Sequence, residues 1–342
     1  MPFEIVRNDI TKMCVDAIVN TANPRPVIGL GTDSQIHEKA GLDLLIARQK
    51  IGNIEVGCAA VTPAFNLQAK YVIHTVGPVW DGGSYGEEQL LRNCYDNSLQ
   101  LALEYNCQSI AFPLISTGNY GFPKDKALQI AISAFSTFLM EHDMQIYLVV
   151  FDRTAFRLSE KLFHSVASYI DEHYVETQEK ATYGISGTRN RPSRSARRMR
   201  ELEEAYSMPQ CAPVPCAKSS LSLDDFLKEK DSGFTERLLE LIQQSGQKNS
   251  VIYKKANISK QHFSKIINDP NAKPSKPTAI ALALALELDL EGTKDLIGRA
   301  GYALTNSSTF DLIIRYFIEH KQFNVIEINI ALYEFDQSLL GA

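Results

Sequence analysis

The sequence has no apolar run of the eighteen or so residues that a membrane-spanning helix needs. Its first thirty residues contain nothing that resembles a signal peptide, so we expect a cytoplasmic protein. The 6 cysteines form no C-x-x-C pair, and no third ligand stands at metal spacing from the histidines. We therefore predict neither disulfides nor a metal site, and no cofactor.

Two common catalytic signatures are also missing, since the chain has no Gly-x-Ser-x-Gly nucleophile elbow and no P-loop lysine. The 35 Lys and Arg are outnumbered by 40 Asp and Glu, and the net charge of -5 argues against general electrostatic attachment to nucleic acid. A local basic face is compatible with this average. With 342 residues, 44% of them hydrophobic, the chain can bury a sizeable core, and two domains joined by a linker are predicted.

Strand and helix patterns alternate through the first half of the chain. Apolar runs predict strands at 3–6, 16–20, 59–63, 71–76, 109–115 and 145–151. Helical patterns lie near 33–49, 87–105, 124–141 and 154–174. This alternation predicts an α/β three-layer (α/β/α) fold with a mixed, largely parallel sheet and helices on both faces. Ligands of such sheets bind outside the carboxyl ends of the strands.

Two glycine-containing loops each follow a predicted strand and precede a helical pattern. The first loop runs from Asn-Thr-Ala-Asn at 20–23 to Gly-Leu-Gly-Thr-Asp at 29–33, and the second loop is Ser-Thr-Gly-Asn-Tyr-Gly-Phe-Pro at 116–123. Glycines let backbone N–H groups approach a phosphate, and a helix N-terminus favours its negative charge. Two such loops suggest a diphosphate held between them.

Five further segments contribute to the pattern that the two loops begin. They are Phe3 to Thr11, Ile36-His37, Ala40-Gly41, Tyr71 to Trp80 and Phe151-Asp152. Together with the loops, these segments resemble the macrodomain family, whose members bind ADP-ribose. The resemblance covers roughly residues 1–170, about half of the chain.

The resemblance implies which residues bind the ligand. Adenine would contact Asp9 and Phe151, the diphosphate would lie between the two loops, and Tyr120 would flank the distal ribose. The implied ligand-binding positions are Asp9, Ile10, Asn20, Gly29, Leu30, Gly31, Thr32, Ser116, Thr117, Gly118, Asn119, Tyr120, Gly121 and Phe151.

The resemblance also implies a catalytic pair. In hydrolytic members an Asn orients the distal ribose, and an acid ten residues later helps water to attack; Asn23 and Asp33 have this spacing. The expected reaction is hydrolysis of ADP-ribosyl linkages, at the glycosidic bond, on protein or nucleic acid. Taken singly, Asn23 is better explained as a turn residue before Pro24 and Asp33 as an N-cap, but the surrounding pattern favours the ligand roles. His37 and His74 are predicted to be structural.

The first loop departs from the hydrolase pattern at several positions. Leu30 interrupts the glycine run, Ser34 replaces a glycine after the acid, and Pro24-Arg25-Pro26 stiffens the entry. The Leu30 side chain is expected near the distal ribose or its leaving group. An alternative function is therefore a non-catalytic sensor, in which binding of an NAD-derived nucleotide alters DNA or partner binding by the rest of the chain.

A linker divides the chain, giving a macrodomain at 1–175, an Arg/Pro/Ser-rich linker at 176–222 and a helical domain at 223–342. The linker contains six arginines at 189, 191, 194, 197, 198 and 200. Its composition favours a solvated segment. The alternative is an arm that contacts nucleic acid phosphates or accepts a modification.

Helical periodicity returns after Leu221, and part of it has the form of a helix-turn-helix. The short link Asn257-Ile258 precedes Ser259, a predicted N-cap, and a later helix begins at Lys276-Pro277. This region resembles the lambda-repressor-like DNA-binding domains, which implies a bacterial origin. The implied nucleic-acid contacts are Lys260, Gln261, His262 and Lys265. Small helical interaction domains have the same apolar spacing.

Charge is unevenly distributed in this helical region. Residues 221–342 contain 14 basic and 16 acidic residues, whereas 248–276 contain seven lysines against Asp269 alone. One face is thus predicted to be basic, as DNA contact requires, although a solvated face on a protein-binding domain is the alternative. The final segment, Phe310 to Leu340, is predicted to form two helices that pack on the helical core or form a homodimer seam.

Overall fold

The computed structural model describes residues 2–150, 166, 169–170 and 232–341. Phe151 and the predicted linker at 176–222 lie outside these residues. So do the domain boundaries at 175 and 222, which stay predictions.

The N-terminal region is built on a six-stranded sheet. Its strands are β1 (Phe3–Arg7), β2 (Ala17–Thr21), β3 (Ala59–Pro63), β4 (Tyr71–Thr75), β5 (Ser109–Phe112) and β6 (Gln145–Val150). Their order is β1-β6-β5-β2-β4-β3, and every neighbouring pair is parallel except β3 and β4. The mixed, largely parallel sheet of the prediction is therefore confirmed.

Helices cover both faces of this sheet. They are α1 (Thr32–Ala40), α2 (Leu42–Ile51), α3 (Glu87–Glu104) and α4 (Lys124–Glu141), with a short 3₁₀ helix at Ile10–Lys12. Because side chains alternate along a strand, Ala17 and Val19 pack with the core under α3 and α4, while Ile18 packs with Ile36 and Leu44 of α1 and α2. Two separate cores flank the sheet, which gives three layers.

The helical pattern predicted near 33–49 is two helices, not one. Gly41 ends α1 with φ 89, and its N–H donates to the carbonyl of His37. A Cβ at Gly41 would lie 2.9 Å from the Asn66 side chain. The positive φ, which glycine adopts without steric cost, turns the chain between the helices.

The C-terminal region is helical throughout its described length. Its helices are α5 (Phe234–Ser245), α6 (Asn249–Lys255), α7 (Lys260–Asn268), α8 (Lys276–Ala285), α9 (Leu290–Arg299), α10 (Thr309–Glu319) and α11 (Val325–Glu334). All eight residues from Thr278 to Ala285 are buried, so the Ala-Leu repeat of α8 is the centre of the bundle. Ser259 caps α7 as predicted, its hydroxyl accepting from the His262 N–H at 3.2 Å.

The C-terminal helices share a core with the sheet. A single cluster of buried residues runs from β1, α3 and α4 into α5 through α11. Lys254 of α6 donates to the carbonyl of Met140 in α4 at 3.2 Å and lies 3.6 Å from Asp143. In α10 and α11, Phe317 and Ile328 are both fully buried. The final segment therefore packs on the helical core of its own chain, and a homodimer seam is not supported.

No helix among the described residues has the length and hydropathy needed to cross a membrane.

Candidate functional site

A cavity of about 490 Å³ opens at the carboxyl ends of the parallel strands, between the first and second loops. Ten of the residues predicted to act in the site line it: Asn23, Gly29, Leu30, Gly31, Thr32, Ser116, Thr117, Gly118, Asn119 and Tyr120. The remaining wall comprises Thr21, Ala22, Gly77, Pro113, Leu114, Ile115, Val149 and Val150. The two loops that the sequence pairs are thus brought to one cavity.

The second loop has a fixed backbone. The Gly121 N–H donates to the Gly118 carbonyl at 3.0 Å, and the Phe122 N–H donates to the Ser116 carbonyl at 3.0 Å. Tyr120 is anchored from outside the loop, because its carbonyl accepts from the Trp80 N–H at 2.9 Å. These bonds hold the backbone of the second loop in place.

Ser116 occupies an unusual position in this loop. Its φ is 64, a left-handed conformation that non-glycine residues seldom adopt. Its hydroxyl is buried and has no hydrogen-bond partner among the described residues. Gly77 lies directly against it, since a Cβ at Gly77 would collide with the Ser116 Oγ. A buried hydroxyl at the cavity wall with no partner is suited to donate to an anionic ligand.

Asp33 is buried behind the first loop and does not line the cavity. Its Oδ1 accepts from the Asn20 Nδ2 at 2.6 Å, and its Oδ2 accepts from the Gly29 N–H at 2.5 Å. The His37 Nε2 lies 3.6 Å from Oδ1. The N-cap assignment of Asp33 is wrong, because Gly31 holds that position and Asp33 lies in the first turn of α1.

Asn23 joins the two loops at the cavity. Its Nδ2 donates to the carbonyl of Val27 at 3.2 Å, and its Oδ1 accepts from the Tyr120 hydroxyl at 3.4 Å. A Cβ at Gly29 would lie 2.7 Å from the Asn23 Nδ2, so glycine is needed for this close approach. Asn23 is thus held by both loops and lines the cavity.

A buried polar network supports Asp33 from below. The Asn20 Nδ2 donates to Asp33, which fixes the orientation of the amide, and it also lies 3.1 Å from the His74 Nδ1. Nδ1 of His74 is therefore the acceptor, and Nε2 carries the proton and donates to the Thr62 Oγ1 at 3.0 Å. Burial lowers the pKa of His74 to about 3, so the ring is neutral. Neither His74 nor Asn20 lines the cavity.

His37 and Arg48 complete the network. Burial lowers the pKa of His37 despite the neighbouring Asp33 carboxylate. Arg48 is buried, and its Nη2 donates to the carbonyls of Asn23 at 3.0 Å and Pro24 at 3.4 Å, while its Nη1 donates to Gly52. Arg48 was not among the predicted site residues, because an arginine in a helix of mixed polarity carries no signal of a distant partner.

Asp9 and Ile10 lie away from the cavity wall. The Asp9 Oδ1 accepts from the N–H and the hydroxyl of Thr11 at 3.0 and 2.7 Å, and so caps the 3₁₀ helix. Burial raises the pKa of Asp9, but the hydrogen bonds from Thr11 outweigh it and the pKa is lowered. Asn8 follows β1 and donates its N–H to the carbonyl of Val150, the last described residue before Phe151.

The basic face predicted in the C-terminal region has fewer unpaired lysines than the seven counted in the sequence. Three of its seven lysines are in ion pairs: Lys254 with Asp143, Lys255 with Glu287 at 2.8 Å, and Lys276 with the buried Asp311 at 2.6 Å. Of the predicted nucleic-acid contacts, Lys260, Gln261 and Lys265 are exposed and His262 is half-buried.

No group of three or more metal-ligating side chains occurs within the described part of the chain.

Comparison with known proteins gives one consistent family. A profile of the Macro domain matches residues 19–131. O-acetyl-ADP-ribose deacetylase from Citrobacter koseri is 48% identical over 164 residues, which are 46% of this chain and 93% of the relative. A Macro domain-containing protein from Methanosarcina mazei is 44% identical over 164 residues, 47% of this chain and 88% of the relative. Among solved structures, a mutant of the Oceanobacillus iheyensis macrodomain with ADPR has a TM-score of 0.43 and 34% identity, covering 54% of this chain and 92% of that one.

Proposed function

The chain belongs to the Macro domain family, and from this premise we propose that its N-terminal region binds ADP-ribose and hydrolyses an ADP-ribose derivative. The observation that carries the proposal is the cavity itself. Two glycine loops, the Asn23 amide and the unpartnered Ser116 hydroxyl converge there at the carboxyl ends of parallel strands.

The lining of the cavity favours one orientation of the ligand. The diphosphate lies between Gly29 to Gly31 and Ser116 to Gly121, with the Ser116 hydroxyl as a donor. The distal ribose lies beside Asn23 and Tyr120, whose amide and hydroxyl suit ribose hydroxyls. Adenine lies toward the apolar end at Val149 and Val150, and Asp9 and Phe151 are proposed to extend that end.

The leading reaction is hydrolysis of an ester on the distal ribose. Its support is the name of the relatives, O-acetyl-ADP-ribose deacetylase. Water would add to the acyl carbonyl carbon, the bond from that carbon to the ribose oxygen would break, and the ribose oxygen would take a proton. The products are ADP-ribose and the carboxylic acid. Cleavage of the glycosidic bond that joins ADP-ribose to a protein or nucleic acid is the second reaction proposed for the same cavity.

We assign Asn23 to ribose positioning and Asp33 to positioning of the first loop. Asp33 is buried and does not line the cavity, and its two oxygens accept from Asn20 and from the Gly29 N–H, which places it behind the loop and not against the ligand. Asp33 instead fixes Gly29 and, through it, the wall beside the distal ribose.

The test begins with calorimetric titration of the full chain with ADP-ribose. The same sample is then incubated separately with O-acetyl-ADP-ribose, ADP-ribosylated protein and ADP-ribosylated DNA, and released ADP-ribose is measured by chromatography. Binding with release from the ester supports the leading reaction. Release from protein or DNA alone supports glycosidic cleavage. Absence of ADP-ribose binding would overturn the proposed function.

A second candidate is a nucleotide sensor, and the shared core of the sheet and the C-terminal helices favours it. In this function, ligand binding changes DNA or partner affinity at α7. A repressor-like DNA-binding role has less support, because three lysines of the basic face are in ion pairs. Fluorescence anisotropy of a labelled duplex, with and without ADP-ribose, tests the coupling. The matched variants are Lys260→Glu with Lys265→Glu on α7, and Lys39→Glu on α1 as the control. Equal duplex binding by all three proteins would remove α7 from any DNA contact.

A further inference from the structure

Three exposed apolar residues lie within four consecutive positions of the first loop. Val27 is 57% exposed, Ile28 47% and Leu30 78%. We call these residues the apolar rim. Isolated exposed apolar residues are ordinary on protein surfaces, but a cluster at a binding site marks a surface that a ligand covers.

The apolar rim meets the proposed ligand cavity at Leu30. Leu30 lines the cavity while most of its side chain faces solvent. The backbone beneath the rim is held on both sides: the Val27 carbonyl accepts from Asn23, and the Gly29 N–H donates to the buried Asp33. Leu30 is therefore part of the cavity wall, and Val27 and Ile28 precede it on the same loop, whose backbone contacts Asn23 at the end assigned to the distal ribose.

We propose that the apolar rim binds the acyl group of an O-acyl-ADP-ribose and makes the protein prefer acyl chains longer than acetyl, with butyryl as the test case. The proposal rests on the ester hydrolysis proposed above and names its substrate class. The ester bond is broken by water as described there, and the acyl chain itself is not changed.

The chemistry of the rim separates an acyl chain from other groups that could be attached to the distal ribose. The rim side chains offer no hydrogen-bond donor or acceptor, so a sugar, a phosphate or a charged peptide would lose water there without gaining a partner. An acyl chain has only CH groups beyond its carbonyl. The charged side chain nearest to the rim in the sequence is the exposed Arg25, which lies two residues before Val27 and is not part of the rim.

The size of the effect follows from the area that the rim covers. Full burial of one methylene corresponds to about fourfold in affinity. Since the rim covers the acyl chain from one side only, we expect each methylene to raise kcat/KM about twofold. Butyryl has two methylenes more than acetyl, so we expect kcat/KM for the butyryl ester to exceed that for the acetyl ester about fourfold.

The experiment measures kcat/KM for both esters with the full chain and three variants. Leu30→Gly restores an unbroken glycine run and should bring the butyryl-to-acetyl ratio close to one. Leu30→Met keeps an apolar side chain and should keep the ratio. Leu42→Ala removes a leucine that is 70% exposed and lies outside the cavity, so it should change nothing.

Several outcomes would overturn the proposal. One is a ratio of one in the unaltered protein, and another is a ratio that Leu30→Gly leaves unchanged. A third is an effect of Leu30→Gly confined to release from ADP-ribosylated protein, which would assign the rim to a peptide. If neither ester is hydrolysed, the proposed ester hydrolysis is wrong, but binding of an acyl group by the rim can still be tested. Calorimetry then compares the affinities of the N-acetyl and N-butyryl amide analogues. Equal affinity for the two analogues would then overturn the assignment of the rim.

Discussion

The side-chain amide of Asn257 pairs with both backbone polar groups of Phe3. Its Oδ1 accepts from the Phe3 N–H at 2.9 Å, and its Nδ2 donates to the Phe3 carbonyl at 2.9 Å. β1 is an edge strand, and such edges expose unpaired N–H and C=O groups. A residue of the C-terminal region thus takes the place of a neighbouring strand at this edge.

Replacing Asn257 should destabilise the whole chain. The residue is buried and has φ 54, so Asn257→Ala removes two hydrogen bonds and places alanine in a left-handed conformation. We expect a loss of about 2–4 kcal/mol in the free energy of unfolding. Denaturant unfolding measures it, and hydrogen exchange at the Phe3 amide should accelerate.

Two controls separate the causes. Asn257→Gly tolerates the positive φ, so its cost reports the lost amide bonds and the added freedom of the unfolded chain, without backbone strain. Asn329 clamps Leu340 in the same way within the C-terminal region, accepting from its N–H at 2.7 Å and donating to its carbonyl at 3.1 Å. Asn329→Ala should lower the free energy of unfolding. Amide exchange at Phe3 should then accelerate by no more than this loss of global stability explains. If Asn257→Gly costs nothing, the edge pairing carries no stability.

Asp33→Ala tests whether Asp33 positions the first loop. Its removal leaves the Asn20 Nδ2 and the Gly29 N–H without their buried acceptor, at a cost of about 2 kcal/mol or more. We expect ADP-ribose affinity to fall at least tenfold, together with turnover. Calorimetry and ester hydrolysis measure the two effects side by side.

Asp43→Ala is the matched control, because Asp43 lies in the first turn of α2 and is exposed. It should leave affinity and turnover unchanged. Loss of turnover with unaltered ADP-ribose affinity in Asp33→Ala would instead assign Asp33 to proton transfer.

The buried His74 should make the protein less stable as the pH falls. The pKa of His74 is about 3 in the folded chain, through burial and the nearby Arg48 and His37, against 6.5 in the unfolded chain. Below pH 6.5 the unfolded state therefore binds more protons, and stability is lost progressively between pH 6.5 and 3. The expected slope is of the order of 1.4 kcal/mol per pH unit.

His74→Gln should be less stable than the unaltered chain at pH 7 but should have a flatter pH dependence between 6 and 4. His142→Gln changes a histidine whose side chain is 40% exposed, and it should keep the original slope. Parallel pH profiles of the unaltered chain and His74→Gln, from urea unfolding, would show that His74 does not control acid stability.

Gly77→Ala should displace the second loop. Its Cβ would collide with the Ser116 Oγ and lie 2.9 Å from the Ile115 Cγ2, so the cavity wall must move. We expect about 1–3 kcal/mol of destabilisation and at least a tenfold loss of ADP-ribose affinity. Gly298→Ala lies in helix α9, where a Cβ meets nothing within 4 Å, and should be stabilising. Normal ADP-ribose affinity in Gly77→Ala would remove the Ser116 position from the site.

The strands and the second loop could be predicted because their signals are local. A buried strand is a short apolar run, and residues 116–123 form their turn through bonds within the loop and to Trp80. The break between α1 and α2 could not be predicted because Gly41 lies inside a continuous helical pattern. In the fold Gly41 has φ 89, and Asn66, 25 residues further along the chain, lies where a Cβ would be.

The network below the first loop could not be predicted for a different reason. Asn20, Arg48 and His74 lie on three separate elements, and only folding brings them to Asp33 and Asn23. The same limit applies to the basic face. Lys276 counts as a free charge in the sequence, whereas in the fold the buried Asp311 neutralises it across 35 residues.

The continuous apolar core from β1 to α11 has a thermodynamic consequence. Because the sheet and the C-terminal helices share one core, we expect them to unfold together in a single cooperative transition on heating. A nucleotide that binds only the folded cavity would then raise the melting temperature of helices it never touches. The melting temperature of the C-terminal helices would therefore rise with ligand occupancy even if their conformation does not change.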